Sequence, residues 1–139
     1  MKLRSYAYHT CRLLLGGLFL AAGLAKGRDV SAFAGEIAAY RLLPYVLNYL
    51  VAATLPAVEI LLGGLLLWGR RVRGAALLAA LLTLVFIGAL LSAMLRGLQI
   101  DCGCFGSAAT WPLWAALLRD FAILALAHFA YHLQPPQTY

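Results

Sequence analysis

Four apolar runs, separated by short polar clusters, set the pattern of this chain. They cover roughly residues 6–25, 47–68, 75–95 and 111–133. Each is long enough to cross a hydrocarbon core of about 30 Å as a helix. Helix is the expected form, because an open strand in lipid leaves backbone N–H and C=O groups unpaired. The stretch 26–45 breaks the pattern. There Asp29 or Ser31 is placed to cap a short helix whose apolar face carries Val30, Phe33, Ile37 and Tyr40, and Pro44 ends it. Such an amphipathic piece is expected at the membrane interface, either as a lid or as a plain connector packed on the bundle. Residues 134–139, with Pro135 and Pro136, should stop the last helix and form a disordered tail. The fold class predicted is an all-α membrane protein, a four-transmembrane-helix bundle with a short amphipathic helix between spans one and two, in a single domain.

Composition agrees with lipid as the solvent. Hydrophobic residues make up 64% and charged residues 12%, far from the roughly 25% charged of soluble domains. The formal charge of +6 does not form one basic face, which argues against nucleic-acid binding. The basic residues sit instead at the ends of apolar runs. Lys2, Arg4, Arg12, Arg70, Arg71 and Arg73 belong to one side, and Lys26, Arg28, Arg41 and Arg96 to the other. The positive-inside rule then puts both termini in the cytoplasm and the loop between spans three and four outside. The N-terminus also has the outline of a signal peptide, with Gly23-Leu24-Ala25 as a cleavage-like run. Small residues four apart (Gly17 with Ala21, Ala76 with Ala80, Gly88 with Ser92) mark candidate close helix contacts.

The outer loop carries the sharpest chemical signal, Asp101-Cys102-Gly103-Cys104-Phe105-Gly106. Two thiols one residue apart, with glycine between them, can close a tight and strained disulfide ring. Strain makes such a bond easier to reduce, which suits a labile redox pair. A structural turn and metal ligation are the alternatives. Zinc is disfavoured, since two thiolates need two more ligands and the loop has no histidine. Asp101 is placed to take a proton or to raise the thiol pKa. Cys11 lies a full span away and reads as a small apolar residue.

Charges within the spans are the second signal. Glu59 follows Pro56 in the second span, and Arg119 and Asp120 sit in the fourth. Each is costly in lipid and should face the bundle interior with a partner. Glu59 with Arg119 is the expected pair, Asp120 competing or acting as a second acceptor, and its role is either to lock the bundle as an ion pair or to serve a proton or quinone. Pro56 removes the donor to the Ala52 carbonyl and should kink its helix. His128, His132 and His9 share the cytoplasmic end; a haem held there is disfavoured, because interfacial histidines are far commoner.

In order along the chain, these residues resemble the MauE/DoxX-like group of redox-associated membrane proteins. The likeness runs through Lys26 to Asp29, then Phe33, Ile37 and Tyr40-Arg41-Leu42-Leu43-Pro44, then Pro56-Ala57-Val58-Glu59. It continues from Gly74 and is most specific at Arg96-Gly97 and Ile100-Asp101-Cys102-Gly103-Cys104-Phe105-Gly106, with Trp114 and Arg119-Asp120 after it. The resemblance implies a four-helix bundle in the bacterial plasma membrane serving thiol–disulfide traffic outside the cytoplasm. It also implies a thioredoxin-like partner and, in the methylamine-utilisation branch, maturation of a disulfide-rich dehydrogenase subunit. The quinone-coupled oxidases DsbB and vitamin K epoxide reductase use two cysteine pairs where this chain has one, so the resemblance does not imply autonomous electron relay to a quinone, which stays a candidate cofactor. The rival expectation is a non-catalytic scaffold or channel subunit with the Cys-Gly-Cys turn as a clasp.

Overall fold

The computed structural model describes residues 2–98 and 112–135. Among them the chain forms α1 (Lys2–Gly27), α2 (Val30–Ala39), α3 (Tyr45–Trp68), α4 (Val72–Leu95) and α5 (Leu113–His132). Four of these, all but α2, are long and apolar enough to cross a membrane. Many large apolar side chains point outward, among them Leu61, Leu84, Val85 and Leu118. In water such a surface would drive aggregation; in lipid it is the solvated face. The protein is a multi-pass membrane protein.

The expected spans hold, each with small shifts at its ends. α1 starts earlier than residue 6, and α3 and α4 begin two to three residues earlier than their apolar runs suggested. α2 begins where its cap predicts, because the Asp29 carboxylate accepts from the Ala32 backbone N–H at 2.9 Å. α3 runs through Pro56 as one helix. Its other end closes on Gly69 at φ 81°, the left-handed cap that ends many helices.

The bundle is ordered α3, α1, α5, α4, with α1 packed most closely on α3 and α4 on α5. α3 and α4 touch only sparsely, and α2 lies along the first half of α3, burying Phe33 and Ala34 against Ala52. The α1–α3 seam is made by glycines. A Cβ on Gly63 would sit 2.7 Å from the Leu20 backbone N, and one on Gly23 would sit 2.9 Å from the Pro56 carbonyl oxygen. Without those side chains the two backbones come into direct contact, as small residues allow in membranes. The expected contact at Gly17 is displaced by one position: a Cβ there meets nothing within 4 Å, and nor does one at Gly88. Ala76 is buried, Ala80 packs against the main core, and both face α5 residues across one pocket. The main core gathers Leu15, Phe19, Leu62, Leu66 and Val72.

Topology puts the C-terminal ends of α1 and α4 and the N-terminal ends of α3 and α5 at one end of the bundle. The opposite end collects the basic residues that the sequence assigns to one side. Arg4 donates to the His132 carbonyl, and Arg73 lies over the Tyr131 ring at 5.9 Å.

Candidate functional site

α1 delivers Lys26 in its last turn, where unpaired carbonyls make a cation favourable. Lys26 Nζ donates to Glu59 Oε1 at 2.7 Å, with the two side chains only 2% and 3% exposed. Phe33 and Phe86 flank the ammonium, their ring centroids 5.3 and 4.9 Å from Nζ. That is inside the roughly 6 Å at which an aromatic face attracts a cation. On α5, Arg119 forks onto its neighbour, donating to Asp120 Oδ1 from Nη2 at 2.6 Å and from Nε at 3.1 Å. Both pairs, with Thr83 and Phe86, line one cavity of about 40 Å³.

The pairing differs from the expected Glu59–Arg119 bridge. Glu59 takes Lys26, and Arg119 takes Asp120. The reason is geometric. Helical side chains lean toward their own N-terminus. In the antiparallel α1–α3 pair, Gly23 abuts Pro56, so Lys26 leans back toward that level from one side and Glu59 from the other. They meet there. In the chain alone Lys26 reads as a boundary charge; the signal that places it inside the bundle is its position in the last turn of α1, just before Gly27.

Each carboxylate spends one oxygen on its cation. Among the described residues, Glu59 Oε2 and Asp120 Oδ2 are buried without a hydrogen-bond partner. An unsatisfied buried acceptor costs about 1–3 kcal/mol, more when charged.

Above the cluster, Tyr40 ends α2 and packs with Leu90, Ala116 and Leu117. Burial, and then the Asp120 carboxylate, push its phenol up to about 12. The Arg96 guanidinium donates to the Tyr40 carbonyl, tying the end of α2 to that of α4. A groove of about 300 Å³ between α2, α3 and α4, apolar apart from Glu36, Tyr40 and Ser92, shares Phe86 with the charged cavity.

The expected dithiol site, Asp101, Cys102 and Cys104, lies outside the described residues, as do residues 136–139 of the expected tail. The fold supplies the two helix ends, Leu95 of α4 and Leu113 of α5, that flank the dithiol segment in the chain. Cys11 is a free, half-buried thiol in the first half of α1. At the opposite end the His128 and His132 rings lie tilted against each other with centroids 4.4 Å apart, while the His9 ring meets Arg12 at 3.3 Å. Among the described residues, no group of three His, Cys, Asp or Glu is placed to hold a metal ion.

A family model described as methylamine utilisation protein MauE matches residues 4–133. The chain belongs to this family. It is 42% identical over 118 residues to the methylamine utilization protein MauE of Paracoccus denitrificans, covering 84% of this chain and 63% of that protein. To the Paracoccus versutus protein of the same name it is 36% identical over 126 residues, 89% of this chain and 68% of the relative. The chain therefore spans about two thirds of the length of these relatives. No solved structure matches it. The MauE match takes in the charge cluster, the α2 cap and both loop cysteines.

Proposed function

We propose that this MauE-family chain is an accessory protein of methylamine utilisation in the bacterial plasma membrane. It exchanges disulfides through Cys102 and Cys104 with an extracytoplasmic thioredoxin-like protein. By this exchange it serves the maturation of disulfide-containing proteins such as methylamine dehydrogenase. Support comes from one conjunction: the family match, which takes in a pair of thiols one residue apart in the segment between two membrane-spanning helices. Both termini are then cytoplasmic and the dithiol segment outside, where thiols can be oxidised.

In the exchange one thiolate attacks a sulfur of the partner's disulfide, forming a mixed disulfide and releasing a partner thiolate. The second cysteine then attacks the mixed disulfide, closing Cys102–Cys104 and freeing the partner's other thiolate. The partner gains two electrons, the Cys-Gly-Cys pair loses two, and its two thiol protons leave, one of them to Asp101. Run backward, the same steps oxidise the partner. The glycine between the thiols and the strain of so short a ring keep the bond reducible.

Two measurements test this. A membrane-impermeant thiol reagent on intact, reduced cells should label Cys102 or Cys104 and spare Cys11; labelling of Cys11 alone inverts the topology. Cys102→Ser and Cys104→Ser, each quenched with acid and run without reductant, should differ: one should accumulate a reducible adduct with a thioredoxin-fold protein, and the double mutant none. If neither single mutant traps an adduct and both support full client maturation, the scaffold reading with a Cys-Gly-Cys clasp replaces this one.

A further inference from the structure

The unpartnered oxygens of Glu59 and Asp120 define a ligand by what they lack. Both residues are 2% exposed, both line the same cavity, and each has one carboxylate oxygen with no donor. A guest that satisfies them must donate twice. The charges already present narrow it further: Lys26, Glu59, Arg119 and Asp120 sum to zero, so neither a cation nor an anion is called for. Thr83 adds a hydroxyl whose proton is committed to the Ala79 carbonyl at 2.8 Å, leaving its oxygen free to accept. Lys26, with one N–H on Glu59, retains ammonium protons to give.

Water meets these demands, as a double donor that also accepts. The cavity holds about 40 Å³, against roughly 10–15 Å³ needed for one water molecule, and five of its ten lining residues are polar or charged. We propose that this cavity is a hydrated proton-exchange site within the membrane, in which water bridges Glu59 Oε2 to Asp120 Oδ2. The bridge joins a pair built from α1 and α3 to a pair built on α5. A Lys26 ammonium proton can pass to the water while the water passes one of its own to a carboxylate. No atom is gained and the net charge held in lipid stays zero throughout. Among the described residues, the charged and titratable groups at or near the site are Lys26 from α1, Tyr40 at the end of α2 with Glu36 beside it, Glu59 from α3, and Arg119 and Asp120 from α5; α4 adds the neutral Thr83 and Phe86.

Water-edited solid-state NMR on the intact protein in lipid bilayers reads this directly. The chain has two glutamates and three aspartates, so carboxyl-labelled protein is simply assigned. Magnetisation from water should reach the Glu59 and Asp120 carboxyl carbons about as fast as exposed Asp29, and several-fold faster than the buried Leu15 methyls. Ala22→Val, which adds bulk to the cavity wall and removes no charged group, should slow transfer to both together and leave Asp29 unchanged. Transfer to both at the Leu15 rate overturns the proposal, since the cavity is then dry. Fast transfer to only one carboxylate removes the bridge, and fast transfer unaffected by Ala22→Val places the water elsewhere. None of these outcomes depends on thiol exchange.

Discussion

Replacing Lys26 by methionine keeps the length and most of the volume of the side chain while deleting its charge. The Glu59 carboxylate, 3% exposed, then loses the cation that pairs with it among the described residues. Breaking a buried pair from one side costs about 3–5 kcal/mol, which is roughly a hundredfold to several thousandfold in the unfolding equilibrium. Loss of the ammonium from between Phe33 and Phe86 adds about 0.5–2 kcal/mol. Glu59→Gln should cost less than Lys26→Met, because the amide oxygen still accepts from Lys26. In the double mutant no uncompensated charge remains, so the two losses should overlap, with a coupling of about 0.5–3 kcal/mol. The assay is reversible unfolding in mixed micelles followed by circular dichroism, on the two single mutants and the double. The same cycle on Glu59 and Arg119, which do not hydrogen-bond, should give a smaller coupling. Lys26→Met as stable as the parent, or strictly additive losses for Lys26 and Glu59, would refute the pairing.

Gly63→Ala should destabilise by about 1–3 kcal/mol through overpacking, because its Cβ would fall 2.7 Å from the Leu20 backbone N; Gly64→Ala, with open space around its Cβ, should not, and equal melting temperatures for the two would contradict the α1–α3 seam. The Tyr40 phenol, pushed from 10.0 up to about 12 by burial and then by Asp120, binds its proton more tightly folded than unfolded. Its contribution to stability is therefore full below pH 10 and is lost as pH rises toward about 12. Alkaline unfolding titrations should show a steeper decline for the parent than for Tyr40→Phe, and parallel curves would count against the burial of this ring.

What the sequence determined is what the solvent imposes. Lipid selects runs of about 20 apolar residues and forces them into helices, so the four spans were legible without any tertiary contact. Local chemistry was legible too: Asp29 caps α2 through a bond three residues away, and the Cys102–Cys104 spacing is a property of the chain itself. The partners of the buried charges were not legible. Glu59 and Arg119 looked like a pair because both are expensive in lipid, yet lipid penalises every unpaired charge alike and does not say which two meet. That was decided by the stagger of α1 against α3, set where Gly23 meets Pro56 and Gly63 meets Leu20. The stagger carries Lys26, a residue that reads as the edge of a span, to Glu59 at 2.7 Å. Arg119 donates to its own neighbour Asp120, and Glu59 and Asp120, each with one oxygen lacking a donor among the described residues, line a common cavity. Pairing across 33 positions depends on how backbones approach, and that approach is a property of the packed bundle.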